Sequence, residues 1–196
     1  MHVTTDDEVA RSFATIREMV RDRGLDASSL ETIAIDSVVA LSHANKVFHV
    51  DAPSCSMRVV YDMNPKFKVA DVKKLVEEAA LEGSSQVLLV VREPPAQGKG
   101  LDELARDIVQ PFLISELQIN VSKHMLVPKH EPIRDNDEVE AVLKRYQLKS
   151  RFQLPLILSS DPMARYLALK PGQIVRITRF SPSAGTYVQY RCCTKS

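Results

Sequence analysis

Asp62, Asp71 and Lys73 come nearest, in type and spacing, to a catalytic set in this chain. A carboxylate followed by an Asp-x-Lys step can hold a divalent metal while the lysine orients water, the chemistry of a metal-dependent nuclease. Asp71 and Lys73, however, open a segment of helical periodicity, and Lys73 sits in a cluster with Lys66, Lys68 and Lys74. A solvated helix start accounts for these residues, and short motifs of this kind recur by chance. His124 and His130 are six residues apart with Pro128 between them, so one helical face cannot present both to a metal. Local hydrogen bonding or packing is their expected role. Cys55, Cys192 and Cys193 make neither a disulfide framework nor a zinc knuckle. Reduced thiols are expected, with alternation along a strand burying one of Cys192 and Cys193 and exposing the other. The six glycines form no phosphate-cradling loop or dinucleotide fingerprint, and there is no Gly-x-Ser-x-Gly elbow. No catalytic residue, cofactor site or metal site is therefore expected.

Charge divides the chain where chemistry does not. The 196 residues carry a net +1, but residues 1–119 hold 13 Lys+Arg against 19 Asp+Glu, a net −6. Residues 120–196 hold 13 against 6, a net +7. Such a split suggests two units with different partners. Lys129, Arg165, Lys170, Arg176, Arg179 and Arg191 could form a nucleic-acid patch, but no aromatic ladder interleaves with them. A basic face that meets an acidic protein groove is the plainer reading. Apolar residues at 44% suffice for a core. No run approaches the roughly 18 apolar residues needed to span a bilayer. The acidic start, Met1 to Glu8, resembles neither a secretory signal nor a transit peptide, so an intracellular protein without a cleaved leader is expected.

The elements follow from periodicity. Thr5 and Glu8 make a capping-box pattern ahead of Val9, Phe13, Ile16 and Val20, which predicts a helix from about 6 to 23, stopped by Gly24. Ser28 and Glu31 predict a second helix to about 43. Strands are expected at 46–50 and 57–61, a helix at about 68–82, a buried strand at 86–92, a loop at 93–100, a weak helix at 101–110 and a strand at 117–121. Strand, helix, strand implies a small α/β unit with a parallel pair. Beyond it, Asp135 and Glu138 cap a helix carrying Val139, Val142, Leu143 and Tyr146, and Asp161-Pro162 opens a short helix. Lys170-Pro171-Gly172 is a turn. Residues 173–179 and 186–192 alternate across Ser181–Gly185 and predict an antiparallel hairpin.

Five blocks in the C-terminal region carry a family pattern. They are His124–His130 (HMLVPKH), Leu143–Tyr146 with Gln153-Leu154-Pro155, Asp161–Tyr166 (DPMARY), Lys170–Ile177 (KPGQIVRI), and Arg179–Tyr187 closing on Tyr190-Arg191. In this order they resemble a small archaeal RNA polymerase subunit and the matching domain of the fifth subunit of eukaryotic nuclear RNA polymerases. Ile16-Arg17, Asp22-Arg23-Gly24, Val87–Val91 and Ser115-Glu116-Leu117 resemble the eukaryotic jaw domain, which the archaeal protein lacks. Ala168 stands where the family usually has Gly, Lys129 matches the archaeal form, and residues 28–60 depart from the jaw pattern.

The resemblance implies an α/β N-terminal jaw domain, residues 1–120, and an α+β C-terminal assembly domain with a small mixed sheet, residues 121–196. It implies a non-catalytic nuclear subunit, in nucleoplasm or nucleolus, that binds the largest subunit through the C-terminal domain. The jaw would lie beside downstream duplex DNA. Arg179, Tyr187, Tyr190 and Arg191 are the candidate partner-binding residues, because aromatics and Arg concentrate at interface centres. Lys66, Lys68, Lys73, Lys74 and Lys99 are the candidates for contact with DNA phosphates. Two other readings remain: a small metal-dependent nuclease, marked by magnesium-dependent cleavage, and a free-standing nucleic-acid-binding module, marked by salt-sensitive duplex binding.

Overall fold

The computed structural model describes residues 4–64, 86–93, 109–181 and 185–195, with Lys74, Glu78 and Leu81. Helix α1, Thr5–Asp22, is capped one residue earlier than periodicity suggests. Thr4 Oγ1 accepts from the Asp7 amide at 3.3 Å, and the Asp7 carboxylate accepts from the Thr4 amide at 3.3 Å. The expected capping pair is instead engaged by Arg92, whose guanidinium donates to Thr5 Oγ1 at 3.2 Å and lies 3.6 Å from the Glu8 carboxylate. Val9, Phe13, Ile16, Met19 and Val20 form the buried stripe of α1. Gly24, at φ 69°, closes it by donating to the Arg21 carbonyl, while Leu25 donates to that of Val20.

The single helix expected over 28–43 is two, α2 (Ser28–Thr32) and α3 (Ile35–Ala44). Ile33 and Ala34 between them are extended. No Gly or Pro marks the break. It is held by Arg17, whose guanidinium donates to the carbonyl that Ile33 would have given to a continuing helix.

Strands β1 (Val47–Ala52), β2 (Met57–Asp62), β3 (Gln86–Val91) and β4 (Val109–Leu113) form the first sheet in that order. β1 and β2 pair antiparallel; β2, β3 and β4 run parallel. β2 is buried at all six positions, as in parallel strands covered on both faces. Its polar members are paired: Arg58 donates to Asp51 at 2.6 Å, and the Tyr61 hydroxyl lies 3.1 Å from Ser12 Oγ. Burial pushes the Tyr61 phenol far above its ordinary range. The buried Arg23 ties the end of α1 to β4 through Gln110 at 3.0 Å.

Two expectations fail in this unit. Val109 and Gln110 belong to β4 rather than to a helix, and 117–121 is no strand. Leu117 lies in a turn, donating to the Ile114 carbonyl, Ile119 is 69% exposed, and Val121 opens a 3-10 turn. Lys74, Glu78 and Leu81 are helical, consistent with the helix expected over 68–82. The other residues of 68–82, and residues 94–108, lie outside the described residues.

The chain divides into two compact units, Met1–Ile119 and Asn120–Ser196. The second contains β5 (Lys129–Ile133), α4 (Asn136–Arg145), β6 (Leu156–Leu158), α5 (Pro162–Tyr166), β7 (Ile174–Ser181) and β8 (Gly185–Thr194). The sheet order is β5-β7-β8-β6, with β7 antiparallel to both neighbours and β6 parallel to β8. The fold class is thus α/β followed by α+β with a small mixed sheet. Asp135 caps α4 and Asp161 caps α5, as expected. α4 buries Val139 and Val142 against Ile133, Leu154, Ile174 and Cys192. Both adjacent cysteines are buried, contrary to expectation. At this end β8 lies between β7 and β6 and both sheet faces are covered, so alternation sends Cys192 into one layer and Cys193 toward the Leu169 carbonyl in the other.

Helices α4 and α5 both end in Schellman turns without glycine. Gln147 (φ 54°) donates to Lys144 and Leu148 to Leu143; Ala168 (φ 53°) donates to Arg165 and Leu169 to Ala164.

Candidate partner-binding surface

The β7–β8 hairpin positions all four candidate partner residues, and strand alternation sorts them by face. Register pairs Arg179 with Tyr187 and Val175 with Arg191, which places Arg179, Tyr187 and Arg191 on one face. Tyr190 pairs with Arg176 on the opposite face. There it is partly buried against the α4 core and meets Tyr146 edge-to-face, ring centroids 5.9 Å apart. The structure therefore brings three candidates together and sets Tyr190 apart, in internal packing.

The three-residue face is cationic. Arg191 Nη1 donates to the Leu156 carbonyl at 3.2 Å. The Nε atoms of Arg179 and Arg191 are buried without a hydrogen-bond partner among the described residues. His130, paired with Ile177 on the same face, has its pKa lowered chiefly by burial, with Arg179 and Arg191 adding to the effect. The Pro128 carbonyl and Asp161 oppose the shift. His130 Nδ1 lies 2.7 Å from the Pro128 carbonyl, an acceptor that requires the Nδ1–H tautomer. His124 Nδ1 accepts from the Leu126 amide at 3.2 Å. Both histidines thus make the local bonds expected of them.

The opposite face spends its charge internally. Arg176 donates to Glu131 at 3.2 Å and to Glu138 at 2.9 Å, and Lys129 lies 2.6 Å from Glu131. These contacts join β5, β7 and α4, so Arg176 and Lys129 leave the basic patch read from sequence. Beside this face, Tyr146, Leu148, Leu154, Pro155 and Val188 line an apolar groove of about 430 Å³. Sequence reasoning missed the groove. Its signal was the uncharged run Thr186–Tyr190.

Of the DNA-proximal candidates, Lys74 is exposed on a helix, while Lys66, Lys68, Lys73 and Lys99 lie outside the described residues. Asp62, from the nuclease-like set, is 5% exposed and accepts from the Asn64 amide at 2.9 Å and its side chain at 2.8 Å. That is the geometry of a local turn. Asp71 also lies outside the described residues. Among the described residues, no three His, Cys, Asp or Glu side chains gather as metal ligands.

The family model for RNA polymerase Rpb5, C-terminal domain, matches residues 119–193. Subunit RPABC1 of DNA-directed RNA polymerases I, II and III from Caenorhabditis briggsae is 29% identical over 193 residues, covering 97% of this chain and 86% of that protein. The Caenorhabditis elegans protein of the same name is 34% identical over 148 residues, 74% of this chain and 69% of that protein. Subunit 5B of DNA-directed RNA polymerases IV and V from Arabidopsis thaliana is 29% identical over 191 residues, 91% of this chain and 86% of that protein. Matched along both units, this chain belongs to the Rpb5 family, the fifth subunits of DNA-directed RNA polymerases.

Proposed function

We propose that this chain is a non-catalytic subunit of a nuclear DNA-directed RNA polymerase, held against the largest subunit through residues 121–196. Residues 1–120 form part of the jaw beside downstream DNA. The observation that carries the reading is the family match over residues 119–193, which contains nearly the whole β7–β8 hairpin. On that hairpin Arg179, Tyr187 and Arg191 share a cationic face, a surface suited to an acidic protein groove. The net −6 of residues 1–119 argues against free-standing DNA binding. DNA contact inside the polymerase would be to phosphates, through Lys66, Lys68, Lys73, Lys74 and Lys99.

Purification of the tagged chain tests the reading. Stoichiometric recovery with large polymerase subunits is expected, and the co-purifying largest subunit identifies the enzyme. Arg191→Glu should weaken recovery. A stoichiometric complex with both Arg191→Glu and Tyr187→Ala would show that this face is not the interface. Cross-linking assembled polymerase to downstream duplex should give adducts between residues 60 and 100; adducts confined to residues 121–196 would refute the jaw placement.

A further inference from the structure

β8 is longer than the strand beside it. β6 pairs only with Cys192–Thr194, and no strand lies along the same side of Gly185–Arg191 among the described residues. Two hydrogen bonds define which main-chain groups face which way. Cys193 N–H donates to the Gln173 carbonyl on the β7 side, and Cys192 N–H donates to the Pro155 carbonyl on the β6 side. Antiparallel alternation then turns the N–H and C=O groups of Thr186, Val188 and Tyr190 outward, six groups in a row.

Among the described residues, three of the four other sheet edges are interrupted, and the fourth, β1, carries His49 and Asp51. β4 contains Pro111, β5 contains Pro132 beside Glu131, and β6 is three residues long. Proline, charge and short length are the usual guards against unwanted strand pairing. Thr-Tyr-Val-Gln-Tyr, residues 186–190, has none of them. Val188 and Tyr187 are each 42% exposed, and the groove of Tyr146, Leu148, Leu154 and Pro155 runs beside the edge.

We infer that the outer edge of Thr186–Tyr190 accepts an extended segment of a neighbouring polymerase subunit, which joins the sheet as a fifth strand. The inference rests on the polymerase reading above. Main-chain bonds supply the attachment, and alternate side chains supply the selection. Guest side chains on the Tyr190 face enter the groove and are apolar. Those on the other face meet Tyr187 and Arg191 and include carboxylates. A second copy of this chain fits poorly, because edge-to-edge pairing would bring like-charged arginine faces together.

Amide hydrogen exchange on the full-length chain, free and assembled into polymerase, tests the inference at residue resolution. In the free chain the amides of Thr186, Val188 and Tyr190 should exchange quickly, while those of Tyr187, Gln189 and Arg191 are protected by β7. Assembly should slow the first three at least a hundredfold. Val188→Pro removes one outward N–H without touching the β7 ladder, and should reduce retention in polymerase at least tenfold. Normal co-purification with the three amides still fast would overturn the inference and leave the polymerase reading intact. Undiminished retention of a folded Val188→Pro chain would do the same. Failure of the chain to co-purify at all would overturn both. Protection that grows with the free chain's concentration would assign the edge to a second copy and overturn the partner-strand assignment.

Discussion

Both units build a four-stranded sheet, yet they finish their strands differently. In the first, β2 is buried at every position, and its charged members Arg58 and Asp62 are buried with it. In the second, β8 is buried only at Cys192 and Cys193, and its other eight residues are exposed or half-exposed. The first unit is acidic and closes the polar groups of β2 internally; the second is basic and leaves the outer edge of Thr186–Tyr190 without a neighbouring strand among the described residues. A strand exposed on both faces and one edge adds little to a small core. Its retention makes physical sense where a partner supplies the missing contacts.

The largest effects lie in the cores. Leu88 of β3 and Ile174 of β7 are fully or almost fully buried. Truncating either to Ala should cost about 3 kcal/mol. If the units are separate, Leu88→Ala and Ile174→Ala will shift different phases of a urea titration followed by amide exchange. Coincident shifts in one transition would mean that the units unfold together.

Helix ends distinguish the units next. The first unit closes α1 with Gly24 at φ 69°, whereas the second closes α5 with Ala168 at φ 53°. A side chain in this left-handed region costs about 1 kcal/mol. Gly24→Ala should destabilise and Ala168→Gly stabilise, each by about that amount, read as opposite shifts in urea midpoint. A neutral Ala168→Gly would mean that the turn carries no strain.

Arg176 offers a smaller test. Its side chain is 36% exposed, so removing its bonds to Glu131 and Glu138 by Arg176→Ala should cost at most about 1 kcal/mol. The loss should appear as faster exchange along β5 and α4, with β2 and β3 unchanged.

The smallest effect is on pH. Burial holds the His130 pKa below its ordinary 6.5, so the unfolded imidazole takes up its proton first as pH falls. The unfolded state then binds more protons, and stability rises with pH across that window. Melting of the second unit should therefore weaken as pH falls through 6.5, and His130→Asn should flatten the dependence. An unchanged slope would assign the effect elsewhere.

Much of this was legible because local and tertiary signals agreed. The stripe of α1, the apolar run of β3, Asp135 and Asp161 as caps, and the β7–β8 hairpin all coincide with their patterns. The misreadings have distinct causes. The break at Ile33-Ala34 is imposed by Arg17 from a neighbouring helix, with no local breaker. Pro111 concealed β4, while the alternation of Leu117, Ile119 and Val121 imitated a strand. The faces of Arg179, Tyr187, Tyr190 and Arg191 follow from counting by two, but Tyr190's use in the core depends on α4, whose docking no local pattern encodes.

Cys192 and Cys193 turn the centre of the second sheet into a built-in clock. Both thiols are fully enclosed, and burial raises their pKa, so little reactive thiolate forms while β8 is in place. Alkylation must wait for β8 to separate from β6 or β7, and each modification counts one opening. Cys55, in the first unit, is only partly enclosed and keeps separate time. One chain thus carries two stopwatches, and whatever seats itself along β8 will slow only one of them.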